Sequence, residues 1–187
     1  MSTHFSMGAI NKITNKYEYA RIANKENKYK CPSCERNVIF KKGKIIRPYF
    51  AHYKSVNPCS YYDRPNETQI HKDAKMLLKT LLDDKIKIIF YKECHNCMID
   101  GNNIIDCVEI EYSENTKSVI EYIFSYNNSA RRSADVALLE NKNIKYIFEI
   151  CYKNKTREEN RPEPWFEIDA ETLINNINSD KNTNNEI

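Results

Sequence analysis

Seven cysteines, at 31, 34, 59, 94, 97, 107 and 151, constrain this chain more than any other feature. Four of them form two Cys-x-x-Cys pairs, Cys31-Pro-Ser-Cys34 and Cys94-His-Asn-Cys97. An odd count without a signal peptide argues against a disulfide framework and for reduced thiols. Such a pair in a reducing compartment is either a redox couple or half of a zinc site. Redox pairs open a helix after a buried strand. Here Cys34 is followed by Glu35-Arg36-Asn37-Val38-Ile39-Phe40 and a Lys-Lys-Gly-Lys turn, which reads as a hairpin. Zinc is the better reading.

A closed zinc site needs four ligands, and one knuckle supplies two. His52 and Cys59 lie beyond the hairpin, at a spacing that suits a zinc ribbon. Cys31, Cys34, His52 and Cys59 are therefore expected to hold one structural Zn²⁺, with no position left open for catalysis. A module this short has too small a core to fold without such a staple. Cys94 and Cys97 are expected to hold a second zinc if other ligands join them. Cys107 is the nearest candidate, with Cys151 a possible fourth, since His95 inside the knuckle is sterically poor.

Along the chain, residues 17–30 read as strand, polar turn and strand. Val38-Ile39-Phe40, a Lys41–Lys44 turn and Ile45-Ile46 read as a hairpin. Residues 67–82 carry Ile70, Ala74, Leu77, Leu78 and Leu81 at helical spacing, with Asn66 and Gln69 placed for a capping box. Strands are expected at 86–91, 104–112, 118–126, 133–139 and 144–151, then a helix from Asp169 to about Ile177. This predicts an α+β chain: a β-rich zinc module over 1–62, a mixed sheet flanked by helices over 63–178, and a frayed tail over 179–187. The two modules are expected to have separate cores.

The excluded classes follow from composition. Three glycines in 187 residues leave no glycine-rich phosphate loop. Twenty-nine Lys and Arg against 26 Asp and Glu give a net charge of +3, which does not by itself announce a nucleic-acid binder. No apolar run reaches the length of a membrane helix, and MSTHFSMGAINK has no signal-like core, so an intracellular protein (cytoplasm or nucleus) is expected, with no membrane partner.

In the strand 144–151, Glu149 sits between Phe148 and Ile150, with Ile147, Cys151 and Lys153 on its own face by period 2. Asp135 holds a similar place on the preceding strand. Two carboxylates on adjacent strands suit a hard divalent cation, Mg²⁺ or Mn²⁺. On the helix, Glu67, His71 and Lys75 form a row at i, i+4 and i+8 that borders either a site or solvent.

Taken together, these residues resemble the competence protein CoiA family. The resemblance rests on Cys31-Pro-Ser-Cys34, Arg47-Pro-Tyr-Phe50-Ala-His52, Cys59, Glu67-x-x-x-His71-x-x-x-Lys75, Arg132-Ser-Ala-Asp135 and Glu149-Ile-Cys151, and covers about residues 15–178. Residues 149–170 resemble a subgroup found in giant DNA viruses, which would extend the expected location to an infected host cell. The resemblance implies an N-terminal zinc module joined to a PD-(D/E)XK-type, restriction-endonuclease-like domain. It also implies a nuclease whose metal acids are Asp135 and Glu149, with Glu67 near the metal. The family pattern has a Lys or Gln two residues after the glutamate, where this chain has Cys151. Lys153, or Lys155 beyond it, would have to supply the amine.

The leading reading is a Mg²⁺- or Mn²⁺-dependent nuclease cutting DNA, with His71, Lys75, Arg132 and Lys155 contacting nucleic acid. Further candidate phosphate contacts are Lys41, Lys42, Lys44, Arg47, Arg131, Lys153 and Arg157, with Tyr49, Tyr53 and Trp165 available to stack on bases. The alternatives are an inactive nuclease-fold zinc protein that binds nucleic acid or a protein partner, and a structural viral or mobile-element protein.

Overall fold

The computed structural model describes residues 6–44, 46–53, 59–99, 102–125, 131–153 and 164–178, with backbone alone at 92–106. The expected tail over 179–187 lies outside these residues, as do Lys155 and Arg157.

The chain opens with five short strands: β1 (Ala9–Asn11), β2 (Tyr17–Glu18), β3 (Tyr29–Lys30), β4 (Asn37–Lys41) and β5 (Tyr49–His52). They form one antiparallel sheet in the order β2-β1-β3-β4-β5. Both expected strands of 17–30 are present, yet they pair with β1 and not with each other. The hairpin is wider than expected. Its second strand is Tyr49–His52, because Lys41 pairs with Tyr49 and Phe40 with Phe50, leaving 42–48 as the connection. Phe40, Phe50 and Tyr29 fill the inner face, with Tyr29 and Phe50 edge-on at 4.9 Å.

A short 3-10 turn (Ser60–Tyr62) leads into helix α1 (Glu67–Asp83). The capping box is complete: Asn66 accepts from the Gln69 N–H and Gln69 accepts from the Asn66 N–H. The helix buries Ile70, Ala74, Leu77, Leu78, Leu81 and Leu82. A two-stranded ribbon follows, β6 (Ile89–Ile99) with β7 (Asn102–Glu109).

The second main sheet comprises β8 (Thr116–Phe124), β9 (Arg132–Glu140), β10 (Asn143–Cys151) and β11 (Trp165–Asp169), in the order β11-β10-β9-β8. Strands β8, β9 and β10 form an antiparallel meander, and β11 joins β10 in parallel. Strand β10 is buried from Tyr146 to Ile150, because Tyr146, Phe148 and Ile150 pack in one apolar cluster and Ile147 in a second. Helix α2 (Ala170–Asn178) closes the chain, capped as expected by Asp169, which accepts from the Thr172 N–H at 2.8 Å. Strand β11 was not expected. Its five residues depend on a partner across a crossover, a long-range cause that local patterning does not reveal.

The architecture is the expected mixed α+β arrangement, but the cores are not separate. One apolar cluster runs from Met7, Tyr29 and Phe50 through the α1 face to Phe148, Phe166 and Ile174. A smaller cluster of Phe124, Ala134, Ala137 and Ile147 lies elsewhere on the sheet. The N-terminal module is thus packed on α1, because a five-stranded sheet of such short strands cannot bury its own inner face.

Candidate metal centre and the helix–sheet site

Cys31 and Cys34 sit on the tight turn between β3 and β4, where the Glu35 N–H bonds the Cys31 carbonyl and Glu35 adopts a left-handed φ of 58°. His52 ends β5, opposite Val38, and Cys59 precedes the 3-10 turn. The hairpin pairing brings His52 back over the knuckle, so all four ligand atoms lie within 4.8 Å of one another. Cys34 Sγ is 3.3 Å from His52 Nε2. Ligands of a tetrahedral zinc lie roughly 3.3–3.8 Å apart, given bonds of about 2.0–2.3 Å. The donor set therefore fits zinc. Burial pushes the Cys31 thiol up to about 12, so a thiolate there needs a cation beside it. Burial, helped by Arg36, lowers His52 and keeps its imidazole neutral, the form that ligates.

The knuckle is tied to α1. Lys72 Nζ donates to the Pro32 carbonyl at 2.9 Å, and Gln69 Nε2 donates to Ser33 Oγ at 3.1 Å. The first turns of the helix thus share the zinc module's footing and carry the row Glu67, His71, Lys75 towards the second sheet.

There the row meets Asp135. His71 Nε2 lies 3.1 Å from Asp135 Oδ2 and 2.8 Å from the Ile150 carbonyl, so its N–H donates to both acceptors. The Ile150 N–H donates to Asp135 Oδ2 at 2.9 Å. Lys75 Nζ is 3.5 Å from Asp135 Oδ1 and 3.0 Å from Glu121 Oε1, with only 12% of its side chain exposed. Burial would raise the Asp135 carboxyl, but the hydrogen bonds from His71 and Ile150 and the charges of His71 and Lys75 outweigh it and hold it below the usual value. The Asp135 hydrogen bond raises His71 against the opposing effect of burial.

Glu149 is 4% exposed. The β9–β10 ladder ends with Phe148 opposite Val136, so Glu149 lies just past it; Ile147, on Glu149's face by alternation, packs in the smaller cluster, whereas Asp135 reaches α1. Among the described residues, the Cys31 cluster is the one group of three or more Cys, His, Asp or Glu ligand atoms close enough to share an ion. Glu67 and His71, with Thr68, Ile150 and Tyr152, line a cleft of about 360 Å³. Arg132 opens β9 opposite Phe124.

Lys153 does not continue the strand, which its place on the face of Glu149 required. Strand β10 stops at Cys151, Lys153 has φ 69°, and its ammonium lies 5.0 Å over the Tyr152 ring. The Cys94 and Cys97 side chains lie outside the described residues, and Cys107, opposite Tyr91, is exposed. Sequence reasoning missed Glu121 as the partner of Lys75, and Asp73. Asp73 sits between Ile70 and Ala74 on the buried stripe of α1, an acid in an apolar row that does mark it. It accepts from the Gly8 N–H (3.0 Å), the Tyr17 hydroxyl (2.9 Å) and the Tyr61 hydroxyl (2.5 Å).

Residues 12–62 match the family model described as Competence protein CoiA, N-terminal domain, a span that holds all four cluster residues. The first module is CoiA-like. A stretch of 82 residues is 34% identical to Druantia protein DruB of Escherichia coli (strain UMEA 4076-1), covering 43% of this chain and 15% of that protein. This chain therefore aligns with a small part of that relative. No solved structure matches. No helix among the described residues is long and apolar enough to cross a membrane.

Proposed function

We propose that this protein is a metal-dependent nuclease acting on DNA, with a structural zinc module fixing its first helix against the catalytic sheet. The observation that carries this reading is the convergence of His71 and Lys75 from α1 on Asp135 of β9; Glu149 of the adjoining strand β10 is proposed as the second acid. The order of elements supports it: a helix, a three-stranded meander and a parallel fourth strand, with the acids on the second and third strands. The CoiA-like first module supports it as well.

Mg²⁺ keeps several waters and binds through one or two protein carboxylates together with substrate phosphate. Asp135 and Glu149 are enough carboxylate for that, and Glu67 would border the ion from the helix. A bound cation would supply an activated water and neutralise charge on the phosphoryl group. The protein's own share is positioning. His71 and the Ile150 N–H fix Asp135 Oδ2, leaving Oδ1 towards Lys75. The ammonium beside Asp135 is that of Lys75, and Glu121 holds it there, while the Lys153 ammonium lies over the Tyr152 ring.

A second reading, an inactive nuclease fold that binds nucleic acid, is favoured by Cys151 at the position where the resemblance implies an amine. The deciding experiment is cleavage of labelled single- and double-stranded DNA by zinc-loaded protein with Mg²⁺ or Mn²⁺. Cleavage lost in Asp135→Ala and in Glu149→Ala is the expected result. Wild-type protein that binds DNA and never cuts it would leave the second reading standing.

A further inference from the structure

We infer that the outer face of the β4–β5 hairpin is a stacking platform for single-stranded DNA. The pairing of Val38 with His52 and of Phe40 with Phe50 turns those residues towards the core and the zinc ligands. Alternation then sends Ile39, Lys41, Tyr49 and Ala51 to the outer face. Tyr49 is 37% exposed, Tyr53, one residue past β5, is 58% exposed, and Ile46 in the connection is 67% exposed. These are three of the seven large apolar or aromatic side chains left exposed among the described residues, gathered on one hairpin. Such a concentration on one hairpin calls for a partner.

The charge on the same hairpin identifies that partner. Residues 37–53 contain Lys41, Lys42, Lys44 and Arg47 and no Asp or Glu, in a chain whose charges otherwise nearly cancel. Lys41 Nζ stands 5.4 Å from the centroid of the Tyr49 ring, and Lys25 joins Lys41, Lys42 and Tyr49 around a shallow cleft of about 380 Å³. Interleaved cations and exposed rings match a chain of phosphates with free base faces. A duplex hides its base faces, so rings laid on an open strand suit a single strand. The zinc cluster sits at the base of this hairpin through His52, and its knuckle is bonded to the start of α1. The platform is therefore rigidly connected to the helix that carries His71. The inference rests on the DNA half of the proposed function and not on cleavage.

The test is fluorescence anisotropy of the full, zinc-loaded chain with a labelled 20-mer of deoxythymidine and with a duplex of equal length, without Mg²⁺ or Mn²⁺. The single strand should bind more tightly. Tyr49→Ala and Tyr53→Ala should each weaken it about 5- to 150-fold, the range of one base–aromatic stack. Tyr49→Phe should bind as wild type, because the ring and not the hydroxyl carries the contact. Lys41→Ala should lower the salt slope by about 0.7 if it meets one phosphate. Zinc content should not change, and Tyr49→Phe, which keeps the packed ring, should melt as wild type. Tyrosine variants that bind like wild type, or a preference for duplex that ignores both rings, would overturn the platform. Cleavage separates the two claims: a protein that cuts DNA but is indifferent to Tyr49 and Tyr53 refutes only the platform, whereas one that never cuts yet depends on Tyr49 supports the platform and refutes the nuclease.

Discussion

Asp73 illustrates how one buried acid can join two parts of a chain. Its three donors come from the β1 edge, β2 and the 3-10 turn, so it fastens the first module to the middle of α1. Burial raises its carboxyl from 3.8 to about 6, and the hydrogen bonds only partly offset this. The folded state therefore keeps a proton that the unfolded state has lost between about pH 4 and 6, so this group's contribution to stability falls as pH rises through that window. A shift of about two units corresponds to on the order of 3 kcal/mol. Urea unfolding of wild type and Asp73→Asn at several pH values should give a difference curve that slopes this way, the acid sensitivity of the zinc ligands being common to both. A flat difference would mean that Asp73 titrates normally. Gly8 is bound to the same network. A Cβ there would run into the Tyr17 ring, so Gly8→Ala should destabilise by about 1–3 kcal/mol, the range for overpacking a filled site, and a neutral effect would contradict that packing.

At the scale of elements, helix α1 was legible because its apolar spacing and capping box are local signals, and the structure reproduces both. Its polar edge was legible only as a row, since whether Glu67, His71 and Lys75 border a site depends on which sheet lies across from them. The proposed amine moves from Lys153 to Lys75 for the same reason. Lys153 follows Glu149 at strand spacing, but the strand ends two residues earlier, and the ammonium beside Asp135 is that of Lys75 on α1. Lys75→Ala should therefore cut DNA cleavage by roughly 10²-fold or more, while Lys153→Ala leaves it near wild type. Since Lys75 helps to hold the Asp135 carboxyl low, its loss should also shift the acid limb of the pH–rate profile upward. Equal losses in the two variants would count against Lys75. Strand β11 and the pairing of both β2 and β3 with β1 were not legible, because each depends on contacts far apart in sequence.

Across the whole molecule, the expectation of two separate cores fails, and the cluster of Cys31, Cys34, His52 and Cys59 gains a wider structural role. Its knuckle is bonded to α1, and the module's inner face is continuous with the core of the second sheet. Chelating the metal, or Cys31→Ser, should therefore lower hydrogen-exchange protection in α1 as well as in β3–β5. Loosening confined to the first module would show that the shared core is not cooperative. A divalent-cation site at Asp135 and Glu149 is read out by titrating zinc-loaded protein with Mn²⁺ and following the free ion by electron paramagnetic resonance. One Mn²⁺ site in wild type and in Lys153→Ala, lost in both Asp135→Ala and Glu149→Gln, is the predicted result; no site in wild type, or a site that survives both acid substitutions, would contradict it.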